Sequence, residues 1–141
     1  LCDDLTLTDA QGFAPNVQLS TRDALGGYAC DYADTNAPND PTVGLAVYAP
    51  GHGLSNGGQA QQLYNELTTS AHKSARDYVD HFIEYPFGSG SLLAGGSVPS
   101  QGANMSFFWV QNRTIINFGV SSVPGTPKSV AAHLMSLLHQ F

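Results

Sequence analysis

The sequence predicts an α+β fold. It would hold an antiparallel sheet of about five strands, a long central helix and a C-terminal helix packed on it, and a short N-terminal helix tied by a disulfide. Three observations carry that expectation. Short runs of alternating apolar and polar residues are joined by hairpin-type turns. One long run repeats its apolar positions every four residues. Two cysteines, Cys2 and Cys30, stand before the first helical pattern and inside the first strong strand pattern. The length, 141 residues, is one domain's worth, so residues 1–141 are read as a single globular domain.

The elements follow in order. Leu5 to Phe13 reads as a short helix; Thr8 and Gln11 have capping-box spacing, and Gly12 with Pro15 stops it. Val17 and Leu19 mark a brief strand. Gly26–Ala33 alternates, with Tyr28, Cys30 and Tyr32 on one face and Ala29 and Asp31 on the other. The Asn-, Asp- and Pro-rich stretch Thr35–Pro41 is a turn. Thr42–Ala49 alternates again, with Val43, Leu45 and Val47 on one face.

Pro50–Gly58 is glycine-rich and leads to the longest helix, near Gln59–Ile83, capped by Ser55 or Asn56. Its row of Leu63, Leu67, Ala71, Ala75, Val79 and Ile83 predicts one buried face. The glycines of Tyr85–Ala103 predict a long loop with a short strand at Leu92–Leu93. Asn104–Val110 and Thr114–Val120 form a hairpin turning at Gln111–Arg113. Thr126 caps a last helix with Pro127 in its first position, burying Val130, Leu134, Leu137, Leu138 and Phe141. Helices on one side of the sheet leave its second face partly open or covered by the glycine-rich loop.

Hydrophobic residues make up 42% of the chain, enough for a core, while charged residues make up only 11%. The net charge of −6 is uneven: Asp3, Asp4, Asp9, Asp23, Asp31, Asp34 and Asp40 face a lone Arg22 in residues 1–40. With no basic patch to displace counterions, nucleic acid and anionic membrane surfaces are excluded as partners. No run approaches the ~20 apolar residues of a membrane span. An even cysteine count without metal spacing favours a Cys2–Cys30 bridge and an oxidising compartment; two buried free thiols are the alternative. The chain begins at Leu1 in the manner of a trimmed sequence, so an export signal or lipid anchor upstream is allowed for.

Several residues are candidates for chemistry. The histidines His72, His81, His133 and His139 have spacings that point them apart, so they read as surface or cap residues; His52, in a glycine loop, is the exception. Gly53-Leu54-Ser55-Asn56-Gly57 matches the letters of a nucleophile elbow, although Pro50-Gly51-His52 lengthens a turn that should be sharp. Asp31, Asp34 and Asp40, with Asn36 and Asn39, are the weak candidate for a cation, against an ordinary solvated turn. The strand pair MSFFWV and TIINFGV carries Phe107 and Trp109 on one face; with Tyr48, Tyr64 and His52 they could line a ligand pocket, or simply form core. Asn104 and Asn112 begin glycosylation sequons.

A cysteine ahead of the LTLTDAQ helix and a second cysteine followed by an aromatic (Cys30-Asp31-Tyr32) form a recognisable order. A glycine-rich stretch, the strand pair SFFWVQNRTIINFGV and a closing helix complete it. This layout resembles small actinobacterial cell-envelope lipoproteins and extracellular sensor-like domains. The resemblance implies a surface location and a binding or sensing role, and it supplies no catalytic residues. The sequence is therefore read as a secreted or cell-envelope binding module, non-enzymatic and without cofactor. Its partner would be a small apolar or amphipathic ligand or a cell-envelope protein. The alternatives are a small secreted hydrolase-like enzyme using Ser55 or His52, and a protein-interaction or inhibitor domain.

Overall fold

The N-terminal end of the chain folds around one cap. Thr6 accepts a hydrogen bond at Oγ1 from Asp9 N (3.2 Å), and Asp9 Oδ2 accepts one back from Thr6 N (3.0 Å). This reciprocal pair starts helix α1, Leu7–Phe13. The box is thus Thr6/Asp9 and not Thr8/Gln11, because Thr6 is extended at the point where the chain turns into the helix. The computed structural model describes residues 1–22, 28–50, 53–54, 62, 65–66, 69, 83–86, 91–98, 101–111 and 114–138. Of these, 21–22, 28, 53–54, 83–86, 91–98 and 108–111 are described as backbone alone.

Among the described residues eight strands follow: β1 (Gln18–Arg22), β2 (Tyr28–Ala33), β3 (Thr42–Pro50), β4 (Gly53–Leu54), β5 (Ile83–Pro86), β6 (Ser91–Val98), β7 (Gly102–Gln111) and β8 (Thr114–Val123). The sheet runs β1-β2-β3-β8-β7-β6-β5. Every neighbour on that path is antiparallel, and the two-residue β4 pairs with β3 in parallel. Two meanders, one from each half of the chain, are joined by β3 against β8.

The antiparallel sheet is as expected, and it extends further because the glycine-rich segment joins it. Residues read as a loop from Tyr85 to Ala103 form β5 and β6 instead, and β6 pairs with β7 from Ser91↔Trp109 to Val98↔Gly102. A full ladder with the strong strand β7 overrides the weak strand propensity of Gly95 and Gly96. Ile83, expected as the last residue of the central helix, instead opens β5 opposite Gly95. Of that expected helix, Gln62, Asn65, Glu66 and Thr69 are described; all four are helical and exposed. They fall on one i, i+3, i+4, i+7 stripe, and Gln62 Nε2 donates to Glu66 Oε1 at 3.0 Å. The other residues expected in that helix before Ile83 lie outside the described residues.

Two bulges shape the sheet. In β1, Ser20 is the extra residue between the pairs Leu19↔Tyr32 and Thr21↔Asp31. In β8, Ser121 and Ser122 oppose Asn104 alone. The Asn104 side chain fills that gap: its Oδ1 accepts from Ser121 Oγ (2.9 Å) and Ser122 N (3.1 Å). Ser122 takes a left-handed backbone there (φ 55°), as does Gly102 (φ 89°), whose added Cβ would stand 2.5 Å from the Val123 carbonyl. Asn104, the first sequon residue, is thus half-buried and engaged inside the sheet; Asn112 lies outside the described residues.

The core forms between one sheet face and two helices. Pro127–Leu138 is helix α2, with Thr126 and Ser129 exchanging cap hydrogen bonds as the sequence predicts (Ser129 N to Thr126 Oγ1 3.2 Å, Thr126 N to Ser129 Oγ 3.0 Å). It buries Val130, Ala131, Leu134 and Leu137. From the sheet, Cys30, Tyr32, Val43, Leu45, Met105, Phe107, Phe118 and Val120 all point into this core. Phe13 of α1 wedges between the layers, its ring 5.8 Å from Phe118 and edge-on to the otherwise exposed His133 at 4.4 Å. Gly12 makes room for that imidazole, since a Cβ there would lie 2.7 Å from His133 Nε2.

Two long-range ties hold α1 to the sheet. Tyr32 donates from its hydroxyl to the Leu5 carbonyl at 2.7 Å in the buried layer. Cys2 is bonded to Cys30 as expected, with their Cα atoms 5.3 Å apart across 28 residues of sequence. Closing a loop of that size stabilises the fold by ~3.5 kcal/mol through the unfolded chain's lost entropy. Denaturant titration of the Cys2→Ser/Cys30→Ser double variant should therefore show a loss of about 2–5 kcal/mol; an unchanged midpoint would mean that the hydroxyl tie and packing suffice alone.

Candidate functional site

Alternation sends half of every strand to the sheet's second face, away from α1 and α2. On the central strands that half is small or polar apart from the fully buried Ile115 at one end of β8. Thr42, Gly44, Ala46 and Tyr48 come from β3, opposite Ser121, Gly119, Asn117 and Ile115 of β8. Ala29, Asp31 and Ala33 of β2 and Ser106 of β7 continue the same rows outward. One row reads Asp31–Gly44–Gly119–Ser106 across four strands. Where two neighbouring central strands both carry glycine, the surface sinks to the backbone. The result is a solvent-open groove of about 500 Å³, with Asp31, Gly44, Tyr48, Ser106, Asn117 and Gly119 among its lining residues.

Asp31 leans over β3. A Cβ on Gly44 would overlap the Asp31 carboxylate oxygen, so the glycine is what lets that carboxylate lie across the strand. Gly119, by contrast, has ordinary space: among the described residues a Cβ there would meet the Met105 carbonyl and Ser106 Oγ, each at 3.9 Å. The Asp31 carboxylate is half-buried and has no cationic partner among the described residues. Burial pushes its pKa above the ordinary 3.8. Tyr48 is also raised, first by burial and then by the nearby Asp31 charge, and so stays a neutral phenol. Beside them, Asn117 Oδ1 is a buried acceptor with no hydrogen-bond partner among the described residues.

The residues singled out from sequence scatter. Tyr48 lines the groove, half-buried. Phe107 is 1% exposed and belongs to the core on the opposite face. Trp109 is described by its backbone alone, opposite Ile116 in β8 and Ser91 in β6. Tyr64, His52 and Ser55 lie outside the described residues. The Tyr85–Ala103 segment, expected as a wall over the aromatics, instead contributes β5 and β6 to the sheet itself.

Asp31, Asp34 and Asp40 are not gathered into one cation site. Asp31 is in the groove, Asp34 Oδ1 accepts from Asn36 N (3.0 Å) in the turn that follows β2, and Asp40 is exposed with φ 43°. No group of three or more histidine, cysteine, aspartate or glutamate residues stands close enough to hold a metal among the described residues. Likewise, no described helix is long and apolar enough to cross a membrane.

Sequence reasoning passed over Gly44, Ser106, Asn117 and Gly119. Their signal is faint: in GLAVY and INFGVSS the small and polar residues keep one phase of the alternation. That phase becomes a site only once β3 is known to pair with β8. A scan against protein-family models finds no match to this chain, and searches of curated proteins and of solved structures find none either.

Two outcomes follow from this geometry. Gly119→Ala should stabilise the strand by roughly 0.5–1 kcal/mol, as alanine does over an unstrained strand glycine, whereas Gly44→Ala should swing the Asp31 carboxylate into solvent and bring its pKa down toward 3.8, read by carboxyl NMR titration. Because Asp31 is raised in the fold, the native state binds the extra proton, so its contribution is fully favourable below 3.8 and is lost as pH rises through the folded value. Asp31→Asn should accordingly raise Tm at neutral pH, and the gain should vanish as the pH approaches 3.8; a pH-independent gain would assign the effect elsewhere.

Proposed function

We propose that this chain is a secreted or cell-surface binding module, non-enzymatic, which seats a small amphipathic ligand in the groove over Gly44 and Gly119. The observation that carries the reading is the pairing of two glycines on the central strands beside Asp31, Tyr48 and Asn117. Among the described residues, that carboxylate has no cation and Asn117 Oδ1 has no donor. A floor of glycine and alanine accepts an apolar body, while a few fixed polar groups orient it, which is the usual make-up of a ligand site. Leaving a buried acceptor unpaired is unfavourable by about 1–3 kcal/mol, so a donor from a ligand is a physical fit there. The Cys2–Cys30 bridge supports an oxidising, extracytoplasmic setting.

Native mass spectrometry of the disulfide-intact protein from its own host should reveal an added mass that leaves on denaturation. Gly119→Val should lose that mass with Tm kept or raised, since the valine projects into the groove from a position with room for its Cβ. Retention of the same mass in Gly119→Val would move the ligand out of the groove, and a bare mass in both would favour a protein partner.

A further inference from the structure

Resting on the groove as the binding site, we infer that its ligand is a small organic cation: a protonated amine on a compact apolar body, its N–H donors held between the Asp31 carboxylate and Asn117 Oδ1. Both groups accept hydrogen bonds; among the described residues, the first has no cation and the second no donor. The two strands that bear them, β2 and β8, are separated by β3 alone. Asp31 narrows that gap, because its carboxylate already lies over Gly44, whose partner on β8, Gly119, is two residues along the strand from Asn117. An ammonium has three donors and can be shared between two acceptors.

The remaining groove chemistry agrees in sign. Tyr48 adds an aromatic ring and a phenol that stays neutral next to Asp31, so it brings no second negative charge to repel or over-neutralise the ligand. Ser106 and Ser121 supply further neutral oxygens. Among the described residues no lysine or arginine lines the groove, so none of them offsets the repulsion between Asp31 and an anionic head group. A bare metal cation fits less well: calcium takes six to eight oxygens, often several of them carboxylate, and the described lining holds a single carboxylate. The floor of Ala29, Ala46, Gly44 and Gly119 sets the shape of what binds, a slim apolar body lying along the strands.

The test uses three probes of equal chain length, n-octylammonium, n-octanol and n-octanoate, titrated by calorimetry into the disulfide-intact chain at neutral pH. The expected result is that octylammonium binds at least tenfold more tightly than octanol, and octanoate does not bind. Asp31→Asn should cut the affinity for octylammonium by tenfold or more and that for octanol by less than threefold. Asn117→Leu should weaken octylammonium several-fold, with the fold of each variant checked by its circular dichroism and melting curve. Octanol or octanoate binding as well as the amine, lost in Gly119→Val, would overturn the cation while leaving the groove as the site. Amine binding that survives both Asp31→Asn and Gly119→Val would overturn the cation and the groove together. No binding of octylammonium at millimolar concentration would overturn the inference outright.

Discussion

The pairing of β3 with β8 is the contact on which the rest of the sheet depends. Each meander is local in sequence, and among the described residues neither pairs with the other at any further strand. Only the register from Thr42↔Ser121 to Tyr48↔Ile115 joins them into one sheet. The same register builds both sides of the molecule at once. On one face it sets Val43 and Leu45 against Val120 and Phe118 under the helices; on the other it sets Gly44 beside Gly119. A slip by one residue would carry Phe118 into water and Gly119 into the core, so the burial of the apolar set is what fixes the position of the groove. The long loop this pairing closes adds little further penalty, since closure entropy grows only with the logarithm of its length.

The groove departs from the local rules that the remainder of the fold obeys. Strand interiors ordinarily avoid glycine, and half-buried carboxylates ordinarily find a cation. Here the two departures are linked, because Gly44 clears the space that the Asp31 carboxylate occupies. Asn117 is a third departure, a carboxamide oxygen buried without a donor among the described residues. Such concentrations of locally unfavourable choices are expected where a chain is shaped for something other than its own stability. The Asn104 carboxamide shows the contrast: it is equally placed within the sheet, yet its oxygen is engaged with Ser121 and Ser122, and it serves to close a bulge.

Much of the fold was legible because its signals are local. The strand faces of Cys30 and Tyr32, Val43 and Leu45, Met105 and Phe107 follow from a period of two, and the Thr126–Pro127 cap follows from backbone chemistry. The disulfide follows from cysteine count and placement. What local reading misjudged was the segment whose state depends on a distant partner. Glycines between Tyr85 and Ala103 argue for a loop until β7 offers them a ladder, and Ile83 continues a helical row until Gly95 pairs with it. The site was harder still. Tyr48 and Asp31 each stand out in the sequence, but for different reasons, one as the polar tip of an aromatic pocket and one as part of an acidic turn. Their meeting, and the roles of Gly44, Asn117 and Gly119, require the strand order, which no stretch of the sequence encodes by itself.

The bond between Cys2 and Cys30 has a mechanical side as well. Tension applied on the N-terminal side of Cys2 enters the sheet directly at Cys30, in the interior of β2, and bypasses α1 and β1 altogether. The residues between the two cysteines lie in a covalent bypass and carry no load. β2 meets that pull through its ladder with β3, from Cys30↔Leu45 to Ala33↔Thr42. The strand that bears the force is thus the one that carries Asp31, and the groove sits beside the molecule's principal line of stress.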